Sequence, residues 1–178
     1  RAASLAIEDL PARIGGELTQ INGEKALLLP YFNEHLHIIG TSVSRPDGGE
    51  LTRYEKVFIL NHLAQGGSSL PSGKWKGFIE FPNTVSKAVT MKKVVEDKLI
   101  EGFSGRKEEL LTRSLALGAI PMSANEGSAD VAVVFTPLPR LPVALLFWDA
   151  IPGDDFQSQA RLMFDETVVE HLDIESIV

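Results

Sequence analysis

Between Ala129 and Asp165 the chain carries three apolar runs of strand length, separated by breaks that bear proline and glycine. That is the pattern of consecutive antiparallel strands. Val143 to Phe147 is apolar at every position, so this strand is expected to be central and covered on both faces, with the core around it. The N-terminal third shows the same punctuation on a smaller scale. Leu18–Ile21 and Lys25–Pro30 flank Asn22-Gly23, the strongest short-range signal for a hairpin. Asn33-Glu34 predicts a second turn before His35–Ile39. A fourth strand at Thr41–Ser44 is stopped by Arg45-Pro46-Asp47-Gly48-Gly49, a turn cluster.

Between and around these meanders the period changes. Ala2 to Ile14 has an imperfect helical stripe with Pro11 inside it, so that helix is expected to start late or break. Thr52 and Glu55 have capping-box spacing ahead of Val57–Leu60 and Leu63, with Gly66-Gly67 as the stop, which predicts a helix over 52–65. Trp75 to Phe81 reads as a strand, Ser86–Gly102 and Arg106–Leu117 as helices, and Met122–Ser128 as a polar loop. Glu166–His171 and Ile174–Val178 look like short helical turns. Hairpins with segregated helices point to an α+β fold with a mostly antiparallel sheet. The N- and C-terminal β-meanders build that sheet, and the helices pack on one face.

With 178 residues we expect a single globular domain spanning 1–178, burying roughly 70% of the surface its unfolded chain exposes. There is no cysteine, so neither a disulfide nor a thiolate-held metal or cluster can come from this chain. A net charge of −7 with no long Lys/Arg block argues against nucleic-acid binding. Arg140 and Pro142 interrupt the longest apolar stretch, which argues against a membrane span. No signal-peptide pattern opens the chain, and a cytoplasmic location is expected. Because the first residue is Arg1 rather than methionine, we expect that a segment ahead of it has been removed, and that segment is a place where function could reside.

Candidate chemistry is sparse. There is no nucleophile elbow, phosphate loop or dinucleotide fingerprint, and no cofactor is indicated. His35 and His37, two apart on a strand, share a face and are weak metal candidates with Glu34 or Glu55 as third ligands; the plainer reading is a polar sheet face. His62 and His171 stand singly on helical stretches and read as solvated. Trp75, Phe78 and Phe81 on one strand, with Phe147 and Trp148 on another, make an aromatic set that fits either a core or the walls of a pocket for a flat ligand. Glu80, Arg140, Asp149 and Asp165 lie at strand ends or turns where polar anchors for such a ligand belong. Arg140, held between Pro139 and Pro142, needs a hydrogen-bonding partner if buried, and a carboxylate is expected.

Several stretches resemble one family. They are Trp75-x-x-Phe78-x-Glu80-Phe81-Pro82, Ala129-Asp130, Phe135-x-x-Leu138-Pro139-Arg140-Leu141-Pro142, Leu146-Phe147-Trp148-Asp149, and Asp155-Phe156 followed by Leu162-Met163-Phe164-Asp165. In this order they resemble the domain of unknown function 3786 (DUF3786) family across most of the chain. The chain departs from that pattern at Gln157-Ser158, where Pro-Ala is usual, and at Pro82-Asn83-Thr84, where glycines are common. The resemblance implies an origin in anaerobic bacteria or archaea, where some members are joined to cysteine-rich iron–sulfur segments or labelled as corrinoid or iron–sulfur proteins. It supplies no catalytic residues.

Three functions follow as expectations. The first is a soluble module that binds a small ligand or a partner protein in anaerobic metabolism, near corrinoid or iron–sulfur proteins, with Trp75, Glu80, Arg140, Trp148, Asp149 and Asp165 as binding candidates. The second is a metal-dependent enzyme using His35, His37 and carboxylates. The third is a purely structural interaction domain. Whether the chain is an enzyme stays open at this stage.

Overall fold

The computed structural model describes residues 7–122, 129–151, 153 and 155–177. The start of the expected first helix (2–6) and most of the expected loop at 122–128 lie outside them. The fold is α+β with two antiparallel sheets, one for each meander. The chain divides into two compact units: Arg1–Ser72, Pro137–Leu141 and Thr167–Ile177 form the first, Gly73–Thr136 and Pro142–Glu166 the second.

In the first unit a 3-10 turn at Ile7–Asp9 leads into α1 (Leu10–Ile14), so the helix does start late, with Pro11 in its first turn, where a missing N–H costs nothing. The sheet runs in order β1 (Glu17–Ile21), β2 (Glu24–Tyr31), β3 (Glu34–Ile39), β4 (Ser42–Ser44). Asn22 and Gly23 both take positive φ, 52° and 82°, as a two-residue hairpin turn of the favoured hand requires. The second turn is Phe32-Asn33, one residue earlier than expected, because Glu34 already pairs with Tyr31. Phe32 is held at a φ of 50°, and its N–H donates to the Pro137 carbonyl at 3.1 Å. Leu27, Leu29 and Leu36, Ile38 form facing pairs across β2 and β3 (Leu27 with Ile38, Leu29 with Leu36) and are buried.

The same unit contains α2 (Arg53–Gln65), which opens with the expected capping box. The Glu55 N–H donates to Thr52 Oγ1 at 3.2 Å and the Thr52 N–H to Glu55 Oε2 at 2.7 Å. The other Glu55 oxygen receives Arg45 Nη2 at 2.8 Å, and Arg45 Nε also grips Glu34 at 3.0 Å, joining β3 to α2. Burial, with the Glu55 carboxylate next in effect, pushes the Tyr31 hydroxyl beside it up to about 12. The C-terminal turns Val168–His171 and Ile174–Ile177 complete the unit, and Val168 and Leu172 are buried.

In the second unit β5 (Trp75–Gly77) is shorter than expected. The chain turns into a 3-10 helix at Phe78–Glu80 because the Glu80 carboxylate folds back onto the Gly77 N–H. Phe78 and Phe81 are thereby buried, and Phe78 meets Phe164 edge-on at 6.2 Å between ring centroids. The expected helix over 86–102 is α3 (Val85–Met91), a π-helical turn at Lys92–Glu96, and α4 (Asp97–Phe103). The wider turn is not a feature of composition. It delivers Glu96 to accept the Leu162 N–H at 3.1 Å. α5 (Lys107–Ala116) and a two-residue strand, β6 (Ile120–Pro121), follow; β6 was not expected.

The three strands of the stretch from Ala129 to Asp165 are β7 (Val131–Leu138), β8 (Leu141–Trp148) and β9 (Gln159–Asp165). In the sheet order β5-β9-β8-β7-β6, β8 is central as expected. Val131, Val133, Leu145 and Phe147 join Leu110 and Ala119 in one core cluster, onto which Leu99, Ile100 and Phe103 of α4 pack. No helix among the described residues is long and apolar enough to cross a membrane.

Candidate functional site

Side chains alternate across a strand. At the end of β8 this sends Phe147 into the core, with no exposed surface, and leaves the next residue, Trp148, half-buried on the other side. Trp148 lines two clefts of the second unit. The larger, about 670 Å³, opens at the start of α5 and is walled by Trp148, Ile151 and Phe156, with Arg106, Lys107 and Asp130 at its polar rim. The smaller, about 330 Å³, lies between Gln159–Leu162 of β9 and the helical stretch that carries Met91 and Lys92.

Asp149 is the anchor of the larger cleft. It is only 8% exposed, so its carboxylate needs partners from the protein. Oδ1 accepts the N–H groups of Gly105 at 2.7 Å and Ala150 at 2.9 Å and the Ser158 hydroxyl at 3.0 Å. Oδ2 accepts the Lys107 N–H at 3.3 Å. Arg106, the residue before α5, makes no side-chain cap, so a carboxylate from a distant strand end caps this helix instead. Burial alone would raise the Asp149 pKa. The donors at Gly105, Ser158, Ala150 and Lys107 outweigh that effect and hold it below the usual carboxylate range.

The network extends on both sides. Ser158 has one hydroxyl proton and gives it to Asp149, so the 2.8 Å contact between Ser158 and Ser104 is donated by Ser104. Asp130 Oδ2 accepts the Asp149 N–H at 2.9 Å, and its Oδ1 pairs with Lys107 Nζ at 2.8 Å. That lysine, then the Asp149 N–H, keeps Asp130 below its ordinary pKa. An ionised carboxylate with every strong donor in place is a rigid support. It is not poised as a general base.

The other sequence candidates lie elsewhere. Trp75 pairs with Asp165 at one end of β9, and Trp148 with Gln159 at the other. Six residues of strand, about 20 Å, separate them, so the two tryptophans do not share a pocket. Asp165 is buried and accepts the Gly73 N–H at 2.7 Å. Glu80 caps the 3-10 turn and lies 4.0 Å from Arg161. Arg140 belongs to the first unit, where its guanidinium donates to the carbonyls of Ser68 at 3.4 Å and Ala12 at 3.2 Å; its partners there are main-chain carbonyls, where a carboxylate was expected.

His35 and His37 do share the outward face of β3, with Leu36 and Ile38 buried on the other. Glu34 and Glu55, the carboxylates considered beside them, are both engaged by Arg45. Among the described residues no group of three or more metal-ligating side chains comes together. His62 and His171, expected to be solvated, are fully buried, because each lies on the apolar side of its helix.

A family profile described as a domain of unknown function (DUF3786) matches residues 6–178. This chain belongs to the DUF3786 family. No curated protein and no solved structure matches it. The stretches that carry the resemblance to DUF3786 now have places. Leu138-Pro139-Arg140-Leu141 links β7 to β8, and Trp148-Asp149 ends β8 at the cleft. At one of the departures noted from the sequence, Ser158 supplies a hydroxyl to Asp149. The other, Thr84, is buried and donates to the Phe81 carbonyl at 2.7 Å.

Proposed function

We propose that this DUF3786 chain is a binding module that holds a flat small molecule against Trp148 in the cleft at the start of α5. The observation that carries the reading is the cleft itself. About 670 Å³ is within the range of small-molecule sites, and apolar walls with a few convergent polar groups are their usual composition. Trp148 and Phe156 offer ring faces, and the Asp149 network fixes the loop that forms the rim. Arg106 and Lys107 are already paired with Glu109 and Asp130. A ligand anion would have to break a pair, whereas a neutral ring with a hydrogen-bonding edge would not. The ligand is therefore read as a neutral heteroaromatic.

The anaerobic setting, a corrinoid or iron–sulfur partner protein, and a cytoplasmic location belong to the same proposal and rest on the family resemblance. The chain has no cysteine, so cluster chemistry would come from the partner. The test is an anaerobic thermal-shift screen of free bases, pterins and unphosphorylated flavins. A ligand at a hundred times its dissociation constant adds about 2.7 kcal/mol, or about 5–10 °C for a chain of this size. A hit that Trp148→Ala removes supports the site. Silence across the panel, or a hit indifferent to that substitution, overturns it.

A further inference from the structure

The first unit holds two buried histidines that the ligand cleft does not use. His62 lies on α2 and His171 ends the turn Val168–His171. Neither has exposed surface, and their rings stand 5.8 Å apart between centroids. His62 Nδ1 lies 3.2 Å from the His171 carbonyl, and His171 Nε2 lies 3.0 Å from the Ser69 carbonyl. A carbonyl oxygen only accepts, so each of these nitrogens carries its proton. The other His62 nitrogen, Nε2, is buried without a hydrogen-bond partner among the described residues, which favours the neutral ring with Nε2 bare. A proton placed there would have no acceptor.

The same two contacts hold the C-terminal segment. Around them Asn61 donates to Ser176 Oγ at 2.7 Å, Gln65 to the Val169 carbonyl at 3.3 Å, and the Ser69 hydroxyl to Glu170. We propose that the His62–His171 pair is an acid-released latch, which holds residues 167–177 onto α2 while the His62 ring is neutral and lets them go when His62 is protonated.

The charges around His62 favour release. His171 faces it from the C-terminal turn and Arg13 from α1, and both oppose a further positive charge. Arg13 is itself bound to the carbonyls of Gln65 and Gly66. On the C-terminal segment Glu170 is taken by Ser69 and Asp173 by the Ser176 N–H. Neither these, nor Glu175 of the last turn, nor Glu55 and the cations Arg53 and Lys56 on α2 itself reach Nε2. Burial, chiefly, lowers the His62 pKa from 6.5 to about 4. The released state binds the proton more readily, so the latch is complete above about pH 6.5 and is lost progressively as the pH falls toward 4. Between pH 8 and pH 5 the closing equilibrium shifts about 30-fold toward release.

The test is hydrogen exchange on the full chain at pH 8, 6.5 and 5, read as protection factors corrected for intrinsic rates. Peptides covering 167–177 should lose about 30-fold of protection by pH 5 while peptides from β2 and β3 hold theirs. His62→Asn, which keeps a donor near the Nδ1 position and cannot titrate, should flatten the pH response. Loss of protection at the same pH in His62→Asn, a uniform loss that includes β2 and β3, or no loss at all would overturn the latch. Should that variant not fold, titration of the His62 ring by NMR in the wild-type chain decides: a midpoint well below 6.5 supports it, and one at or above 6.5 overturns it.

Discussion

At the scale of the residue, one carboxylate shows how burial and partners decide a role. Asp149 could be singled out in the sequence as an acid at a strand end. Its donors could not, because Gly105 and Lys107 lie 44 and 42 positions away and only the folding of the start of α5 against the end of β8 brings them together. Asp149→Ala leaves those N–H groups without an acceptor and should cost about 1–3 kcal/mol, seen as a lower urea midpoint. Ser158→Ala removes one bond of several, so the same measurement should show about 0.5–1.5 kcal/mol. A larger loss for Ser158 than for Asp149 would contradict the order of dependence. His62 was misjudged, although a signal was present: Ile59 and Leu63 stand three before it and one after, the spacing of a buried helical face.

At the scale of the element, much was legible where local chemistry sets the structure. Asn22-Gly23 and the Thr52–Glu55 box each specify a backbone conformation within four residues, and both are present as read. Elements defined by tertiary contact were missed. β6 exists only by pairing with β7, and the π-helical turn places Glu96 on β9. One local signal was missed as well, since Glu80, three residues on, caps the turn that stops the strand from Trp75 at Gly77. The end of α2 gives a sharp test. A Cβ at Gly66 would stand 2.3 Å from Ile14 Cγ2 and 2.6 Å from the His62 carbonyl, closer than atoms pack. Gly66→Ala should therefore destabilise by about 1–3 kcal/mol in chemical denaturation, and an unchanged midpoint would mean that α1 yields freely.

At the scale of the whole molecule, the α+β class and the antiparallel strands were legible from the alternation of apolar runs and turns. That the two meanders make separate sheets was not, since strand patterns do not state which strands pair. The charged groups then predict two steps of acid sensitivity. His62 withdraws stability between about pH 6.5 and 4, because its folded pKa of about 4 lies below 6.5. Asp130 and Asp149 have lowered pKa values, so their contribution persists through that window and is lost below the ordinary carboxylate range. Unfolding midpoints measured from pH 8 to 3 should show both steps, with only the first absent in His62→Asn. The central claim is that Trp148 forms the wall of a ligand site, and the chain has two tryptophans. Trp75→Phe leaves Trp148 as the sole reporter, so its fluorescence titrated with the best hit of the screen tests the claim directly. The account predicts saturable quenching with a midpoint that matches the thermal shift, and binding that leaves Trp148 emission unchanged would contradict it.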